Sequence, residues 1–204
     1  MEKPTFTQRC WNIFNESLLN YHLHDSIQAP FFSTYTKGSI ENLLYKKNWI
    51  DTVQWHMEDL IRMPGIKAEE GLSLKRSIDD SNQKRTDLVE KIDDWFVVRY
   101  RNVLLDKDAK INTESPAWAL DRLSILALKI YHMHEQISRT EVSFTHRKKC
   151  REKLQILKEQ QEDLCTSIEE FLEDLQNGKK KMKIYRQMKM YNDENLNPVL
   201  YKKE

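Results

Sequence analysis

A helix-period apolar stripe that is interrupted by polar residues is the strongest constraint in this sequence. Between positions 78 and 96, apolar residues recur at steps of three or four, the spacing that places side chains on one face of an α-helix. Asn82 and Arg85 occupy positions in the same stripe. Because an unpaired buried charge costs roughly several kcal/mol, neighbouring helices must supply partners for Arg85. The stripe therefore predicts a helix in a bundle, with a polar contact on its inward face.

The composition favours an all-α fold over an all-β fold. Only four Gly and five Pro occur in 204 residues, which leaves few positions for tight hairpin turns. The 33 Lys and Arg residues nearly balance the 32 Asp and Glu residues, so net charge predicts neither a nucleic-acid partner nor an anionic membrane. No apolar run approaches the roughly 20 residues of a membrane span, and no secretion signal is evident. We therefore expect a cytoplasmic protein.

Periodicity and end signals predict one all-α domain, residues 1–204, with five helices. The fourth helix begins with a typical start signal, Ser115 followed by Pro116, and is apolar around nearly its whole circumference, so we expect it at the centre of the bundle. The fifth carries a narrow heptad seam, which predicts packing along one edge of the bundle or against a second copy. The predicted ranges are about 7–25, 39–62, 67–99, 116–138 and 141–176, followed by an aromatic C-terminal segment, 179–204, docked on the bundle by Tyr185, Tyr191, Pro198, Val199, Leu200 and Tyr201.

Polar and ionisable residues on the predicted inward faces form the first candidate site. Three cations against one carboxylate leave an excess of positive charge that a phosphate, a carboxylate or a sugar nucleotide would neutralise. The alternative is a charge-satisfied structural network, which is a common role of buried ion pairs. The candidate ligand-binding residues are Asn82, Arg85, Asp121, Arg122 and Lys129.

Three histidines are each followed by a carboxylate one helical turn later. Helical bundles hold metal ions through His and carboxylate ligands on facing helices, although usually with Glu before His. The alternative role of such pairs is to cap and bridge surface turns. We predict no metal site and keep these pairs as the alternative, because their convergence depends on the rotation and order of the helices. The pairs are His22 and Asp25, His56 and Asp59, and His132 and Glu135.

General acid and base chemistry in a cleft is a third alternative. Its candidate residues are His56, Asp59 and Glu58. No nucleophile motif, P-loop or dinucleotide fingerprint accompanies them. The sequence therefore names no cofactor and leaves open whether the protein is an enzyme.

Six stretches of the chain resemble one known family. They read KNWIDTVQWHMED at 47–59, IDDSNQKRTD at 78–87, NTESPAW at 112–118, DRLSIL at 121–126, KIYHM at 129–133 and YRQMKMYND at 185–193. Together they are similar to a bacterial domain-of-unknown-function family, number 4254 in its series, found largely in Bacteroidetes. The resemblance covers nearly the whole chain.

The resemblance implies a stand-alone cytoplasmic protein whose genes often lie near glycosyltransferases of cell-envelope polysaccharide synthesis. It implies no assigned activity and supplies no catalytic residues. The family pattern does include polar residues that packing alone would not require, namely His56, Asp59, Asn82, Arg85, Asp121 and Arg122.

We therefore predict a polar pocket between the second, third and fourth helices that binds an anionic small molecule such as a sugar phosphate. The alternative is a non-catalytic interaction protein that uses the heptad face of the fifth helix, either as a homodimer or with a partner from the glycosyltransferase pathway.

Overall fold

The computed structural model describes residues 3–188 and 195–196. These residues form five α-helices and no strand apart from one isolated bridge between Lys110 and Lys180. None of the described helices is long and apolar enough to cross a bilayer. The all-α prediction is confirmed. The helices are α1 (Phe6–His22), α2 (Ile40–Ile61), α3 (Ala68–Tyr100), α4 (Pro116–Ser138) and α5 (Phe144–Gln176).

Two helix ends differ from the predicted ranges by three residues, the others by one at most, and local hydrogen bonds explain both larger differences. The carbonyl of Tyr21 accepts from the amides of His24 and Asp25, each at 3.0 Å, and Asp25 has a φ of +46°. A positive φ cannot continue a right-handed helix, so α1 ends three residues early. At the start of α5, the Ser143 hydroxyl accepts from the His146 amide at 3.1 Å and sets the first turn three residues late.

Helix α4 packs against all four of the other helices, so its predicted central position is confirmed. Leu120, Leu123 and Leu128 are each 1% exposed or less. The remaining helices bury one face each against it, as shown by Phe14 on α1 and Val89 on α3, both fully buried. Core burial of this kind stabilises each large apolar side chain by about 1.5–3 kcal/mol.

The heptad seam of α5 is buried within the chain itself. Ile168 and Leu175 are 2% and 1% exposed, and the seam packs on α4 and α1. Leu157 and Leu164 are partly buried against the same core. Of the two packing alternatives for α5, the edge of the bundle is the one found. An interaction protein would therefore need a different face for its partner.

Polar contacts hold the described part of the C-terminal segment along α3. The Arg186 guanidinium donates to the Glu90 backbone carbonyl at 3.2 Å, and the Gln187 amide donates to a Glu90 carboxylate oxygen at 3.0 Å. Tyr185 is 76% exposed, so the prediction that this ring docks on the bundle is wrong. The other predicted docking residues lie outside the described residues: Tyr191, Pro198, Val199, Leu200 and Tyr201.

Asp93 on α3 ties the start of α4 to the core. Its carboxylate accepts from the Ser115 hydroxyl at 2.7 Å and from the Ala117 amide at 3.3 Å. Ser115 in turn accepts from the Trp118 amide at 3.4 Å, which confirms the predicted start signal. Burial outweighs these hydrogen bonds and raises the pKa of Asp93 to about 6.

This raised pKa makes the stability of the domain depend on pH. Because the folded chain holds the Asp93 proton more tightly than the unfolded chain, the contribution of Asp93 is greatest below about pH 4 and is lost as the pH rises through about 6. Between about pH 4 and 6, the unfolding free energy of the wild type should fall by at most about 3 kcal/mol relative to that of the Asp93→Asn variant. Urea denaturation at several pH values measures this, and parallel pH curves for the two proteins would contradict it.

Candidate functional site

Four charged side chains meet between α2, α3 and α4. The Arg85 guanidinium donates to Asp121 through Nε at 3.0 Å and Nη2 at 2.6 Å, so Asp121 is one of the partners that the sequence required for Arg85. Lys47 Nζ lies 2.7 Å from Asp121 Oδ1 and also pairs with Asp51 on its own helix. Arg85 Nε lies 3.2 Å from Asp51 Oδ1. Two cations therefore meet two carboxylates, so the predicted excess of positive charge is absent from this cluster.

The pKa values of the two carboxylates in this network shift in opposite directions. Burial alone would raise the pKa of Asp121, but the charges of Lys47 and Arg85 outweigh it and hold that pKa below its ordinary value. At Asp51, burial outweighs the same two cations and the pKa is raised. Of the two alternatives stated for Arg85, this charge-balanced arrangement fits the structural network, although Arg85 is 24% exposed and lines a cavity.

Lys47 and Asp51 are the members of this network that sequence reasoning missed. Both are buried, at 1% and 6% exposure, together with Asn48 and Thr52. The signal was present, because these polar residues recur at steps of three and four on one face of α2. The Ser124 hydroxyl from α4 donates to Asp51 at 2.7 Å and completes the polar layer.

The other predicted pocket residues do not join Arg85 and Asp121, although a cavity of about 330 Å³ does lie between α2, α3 and α4 and is lined by Asp51, Arg85 and Ile125. Arg122 is exposed and pairs with Glu114. Lys129 follows Asp121 by eight positions, which leaves it about 80° further around the helix, at the surface. Asn82 accepts from Gln54 Nε2 at 2.9 Å and is occupied by that contact.

A second group of polar side chains consists of three histidines that converge from α1, α2 and α4. His22 ends α1, while His56 and His132 lie on α2 and α4. Their ring centroids are 5.4, 5.5 and 5.6 Å apart, which is a nearly equilateral triangle. One ring nitrogen from each lies within 4.8 Å of the others, and Nε2 of His22 and Nε2 of His56 are 3.4 Å apart. The folded chain thus brings together the histidines whose convergence the sequence left open.

The outer nitrogens of two rings have partners that orient the inner nitrogens. Nδ1 of His22 lies 2.7 Å from the carbonyl oxygen of Leu18, and Nδ1 of His132 lies 2.6 Å from Glu135 Oε2. Because these oxygens accept, each Nδ1 carries a proton, which makes Nε2 the nitrogen with the lone pair in the neutral form of each ring. Nε2 of His132 is buried and has no hydrogen-bond partner within the described part of the chain. Carbonyl and carboxylate partners of this kind are typical of metal-ligating histidines.

Burial also favours the neutral form of the His56 imidazole. It lowers the pKa of His56, and the neighbouring rings of His22 and His132 lower it further. A neutral imidazole is the form that binds a metal ion, so this environment favours ligation over an ion pair with a carboxylate.

The carboxylates near the three histidines do not all line the same cavity. Asp25 Oδ1 lies 3.8 Å from His56 Nε2, and Asp59 lines the same cavity. Glu58 does not, since it pairs with Arg62 at 2.8 Å and lines a neighbouring cavity. Of the predicted acid and base residues, His56 and Asp59 therefore share a cavity and Glu58 stands apart.

The histidines open onto a cavity of about 690 Å³. Trp55 stacks on His132 at 4.9 Å and forms part of the apolar wall. The ammonium groups of Lys129 and Lys153 line the cavity and make no hydrogen bond or ion pair with another described residue. The complete lining is His22, Asp25, Trp55, His56, Asp59, Lys129, His132, Met133, Glu135, Gln136, Lys153, Ile156 and Leu157.

A family model described as a protein of unknown function, DUF4254, matches residues 41–184. The chain belongs to the DUF4254 family. The resemblance seen in the sequence is thereby confirmed. The DUF4254 match spans α2 to α5 and contains His56 and His132, whereas His22 and Asp25 precede it. No curated protein and no solved structure matches the chain.

Proposed function

We propose that this DUF4254 protein binds a transition-metal ion of the zinc class through His22, His56 and His132, and that it presents the ion to a small molecule in the adjoining cavity. The observation that carries the proposal is the convergence of three imidazole nitrogens from three helices. Imidazole ligands favour zinc, copper, nickel or iron over magnesium and calcium, which prefer oxygen. Three protein ligands leave one position of a tetrahedral ion for a water or another ligand.

The spacing of the nitrogens supports a tetrahedral ion. With metal–nitrogen bonds of about 2.0–2.1 Å, two ligands of one tetrahedral ion lie about 3.3–3.4 Å apart. His22 Nε2 and His56 Nε2 are 3.4 Å apart, which equals the separation expected for two ligands of a tetrahedral ion. The widest separation in the cluster is at most 4.8 Å, so ligation requires the rings to close slightly. The helices therefore hold the ligands close to their working positions.

The charge of the cavity wall supports an anionic ligand once the metal is bound. The lining carries three carboxylates, Asp25, Asp59 and Glu135, against the two lysines Lys129 and Lys153. With neutral histidines the wall therefore has one excess negative charge, and a divalent ion changes this to one excess positive charge. We propose an anionic small molecule such as a sugar phosphate as the ligand, in the cytoplasmic steps of cell-envelope polysaccharide synthesis that the family resemblance implies.

Metal content tests the proposal directly. After chelator treatment and dialysis against Zn²⁺, the wild type should retain one ion per chain by elemental analysis. His56→Ala and His132→Ala should each lose most of it. His134→Ala is the matched control, because His134 is exposed on the same helix and lies outside the cavity. Equal zinc retention by all four proteins, each confirmed as folded by circular dichroism, would refute the proposal.

Ligand titration tests the anionic part separately. Glucose 1-phosphate should bind the zinc-loaded protein measurably by calorimetry and bind the chelator-treated protein at least about tenfold more weakly. Substitution of Lys153 with Ala should weaken binding to the zinc-loaded form without removing zinc. Equal affinity with and without zinc would mean that the charge argument is wrong.

A further inference from the structure

We infer that Asp25 is the fourth ligand of the resting metal centre and that an anionic ligand displaces its carboxylate from the ion. The inference rests on the metal-binding function proposed above. Three features of Asp25 carry it: its distance from the histidines, its backbone conformation, and its position between two cavities.

The distance places Asp25 near a ligating position. Its Oδ1 atom lies 3.8 Å from His56 Nε2. Two ligands of one tetrahedral ion lie about 3.3 Å apart, so the carboxylate is about 0.5 Å too far from His56. Asp25 lies outside the group of ligand atoms that are all within 4.8 Å of one another, so its exposed side chain must also turn toward His22 and His132 to reach the ion. Asp25 follows His22 by three residues. The turn that ends α1 therefore places an imidazole and a carboxylate in the lining of one cavity.

The backbone at Asp25 is unusual. Asp25 is the one non-glycine residue with a positive φ in the described part of the chain, at +46°. Glycine is the common choice at a left-handed helix end and asparagine or aspartate an occasional one, because side chains in general cost energy there. Strained backbone conformations concentrate at ligand-binding sites, where the side chain rather than the turn requires them. A carboxylate ligand for the histidine cluster is such a requirement.

The carboxylate is also free to leave. The Asp25 side chain is 63% exposed, compared with 25% for His56 and 15% for His132, and its contact with His56 is long for a hydrogen bond. Asp25 and His56 both line a second cavity of about 590 Å³, whose lining includes neither Lys129 nor Lys153. A carboxylate that leaves the ion therefore has space to occupy, while an incoming anion approaches from the side of Lys129 and Lys153.

Cobalt provides the spectroscopic test, because the intensity of its visible bands falls as coordination rises from four to five or six. The wild type, Asp25→Asn and the control Glu58→Gln are loaded with Co²⁺ and titrated with inorganic phosphate. Glu58→Gln removes a carboxylate that pairs with Arg62 outside the centre.

In Asp25→Asn we expect Co²⁺ affinity to fall at least about tenfold, the lower limit for loss of even an outer partner of a metal site. We expect phosphate to bind Co²⁺-loaded Asp25→Asn at least about tenfold more tightly, because it no longer competes with the carboxylate.

A second variant separates ligation from folding. Asp25→Gly removes the carboxylate and relieves the positive φ, so the metal-free protein should unfold at a higher temperature while its Co²⁺ affinity falls as in Asp25→Asn. Unchanged Co²⁺ affinity and spectrum in both variants would overturn the role of Asp25 while leaving the three-histidine centre intact. A wild type that binds no Co²⁺ or Zn²⁺ would overturn both proposals.

Discussion

Asp121→Ala is expected to lower the free energy of unfolding by about 3–5 kcal/mol, because it leaves one carboxylate for the buried Lys47 and the partly buried Arg85. Lys47 and Arg85 would then share only Asp51, and one positive charge would remain uncompensated in a polar layer where Lys47 is 1% exposed. Urea denaturation followed by circular dichroism measures the loss. The large effect is the penalty of an unpaired buried charge rather than the net strength of the ion pair.

Arg122→Ala is the matched control for this prediction. Arg122 is the next residue on α4, but its guanidinium is exposed and pairs with Glu114 at the surface. Surface ion pairs contribute about 0–1 kcal/mol, so this change should be nearly neutral. Similar losses at positions 121 and 122 would show that the network is not the source of the effect.

Restoring neutrality should recover part of the stability lost in Asp121→Ala. Adding Lys47→Met to that variant removes the extra cation and leaves Arg85 opposite Asp51. The double variant should therefore be more stable than the sum of the two single losses predicts, which is the coupling expected for residues of one network. Strict additivity would contradict a shared charge balance.

Ile168→Asp is expected to unfold the domain. Ile168 lies on the seam of α5 and is 2% exposed. Its loss removes core packing worth about 2–5 kcal/mol, and the new carboxylate adds the cost of an unpaired buried charge. Together these approach the roughly 5–15 kcal/mol that stabilises a whole domain. Circular dichroism and size-exclusion chromatography should show loss of helix and an expanded or aggregated chain.

Ile156→Asp is the control for the seam. It places the same carboxylate on the same helix, at a side chain that is 64% exposed. The chain should remain folded, with a stability change within about 0.5 kcal/mol. If Ile168→Asp instead stayed folded and only changed the oligomeric state, α5 would be an interface between copies and its seam would not be an internal contact.

The helices themselves were largely readable from local sequence. Periodicity located all five, and Ser115 with Pro116 marked the start of α4 at the right residue. The errors were at ends that depend on backbone geometry, such as Asp25, whose positive φ stops α1 early. Helix formation and capping are decided within a few residues, which is why they can be inferred from the chain alone.

The candidate sites were readable only in part. The stripe containing Arg85 showed that a buried partner was required, and Asp121 was among the candidate residues, but the sequence did not single it out as that partner. Lys47 and Asp51 were overlooked because the apolar residues around them account for the packing of α2 without them. As a result, the sequence predicted an excess of positive charge at a point where the folded chain has a neutral network.

Only the tertiary structure decided whether the three histidines meet. The sequence placed His22, His56 and His132 on separate helices, each followed by a carboxylate one turn later. Their meeting depends on how α1, α2 and α4 rotate about their axes and which helices are neighbours, and contacts between residues far apart in the chain set both. The residue types and local helices were therefore determined by the sequence alone, whereas the three-histidine cluster and its cavity arise from the packing of the helices.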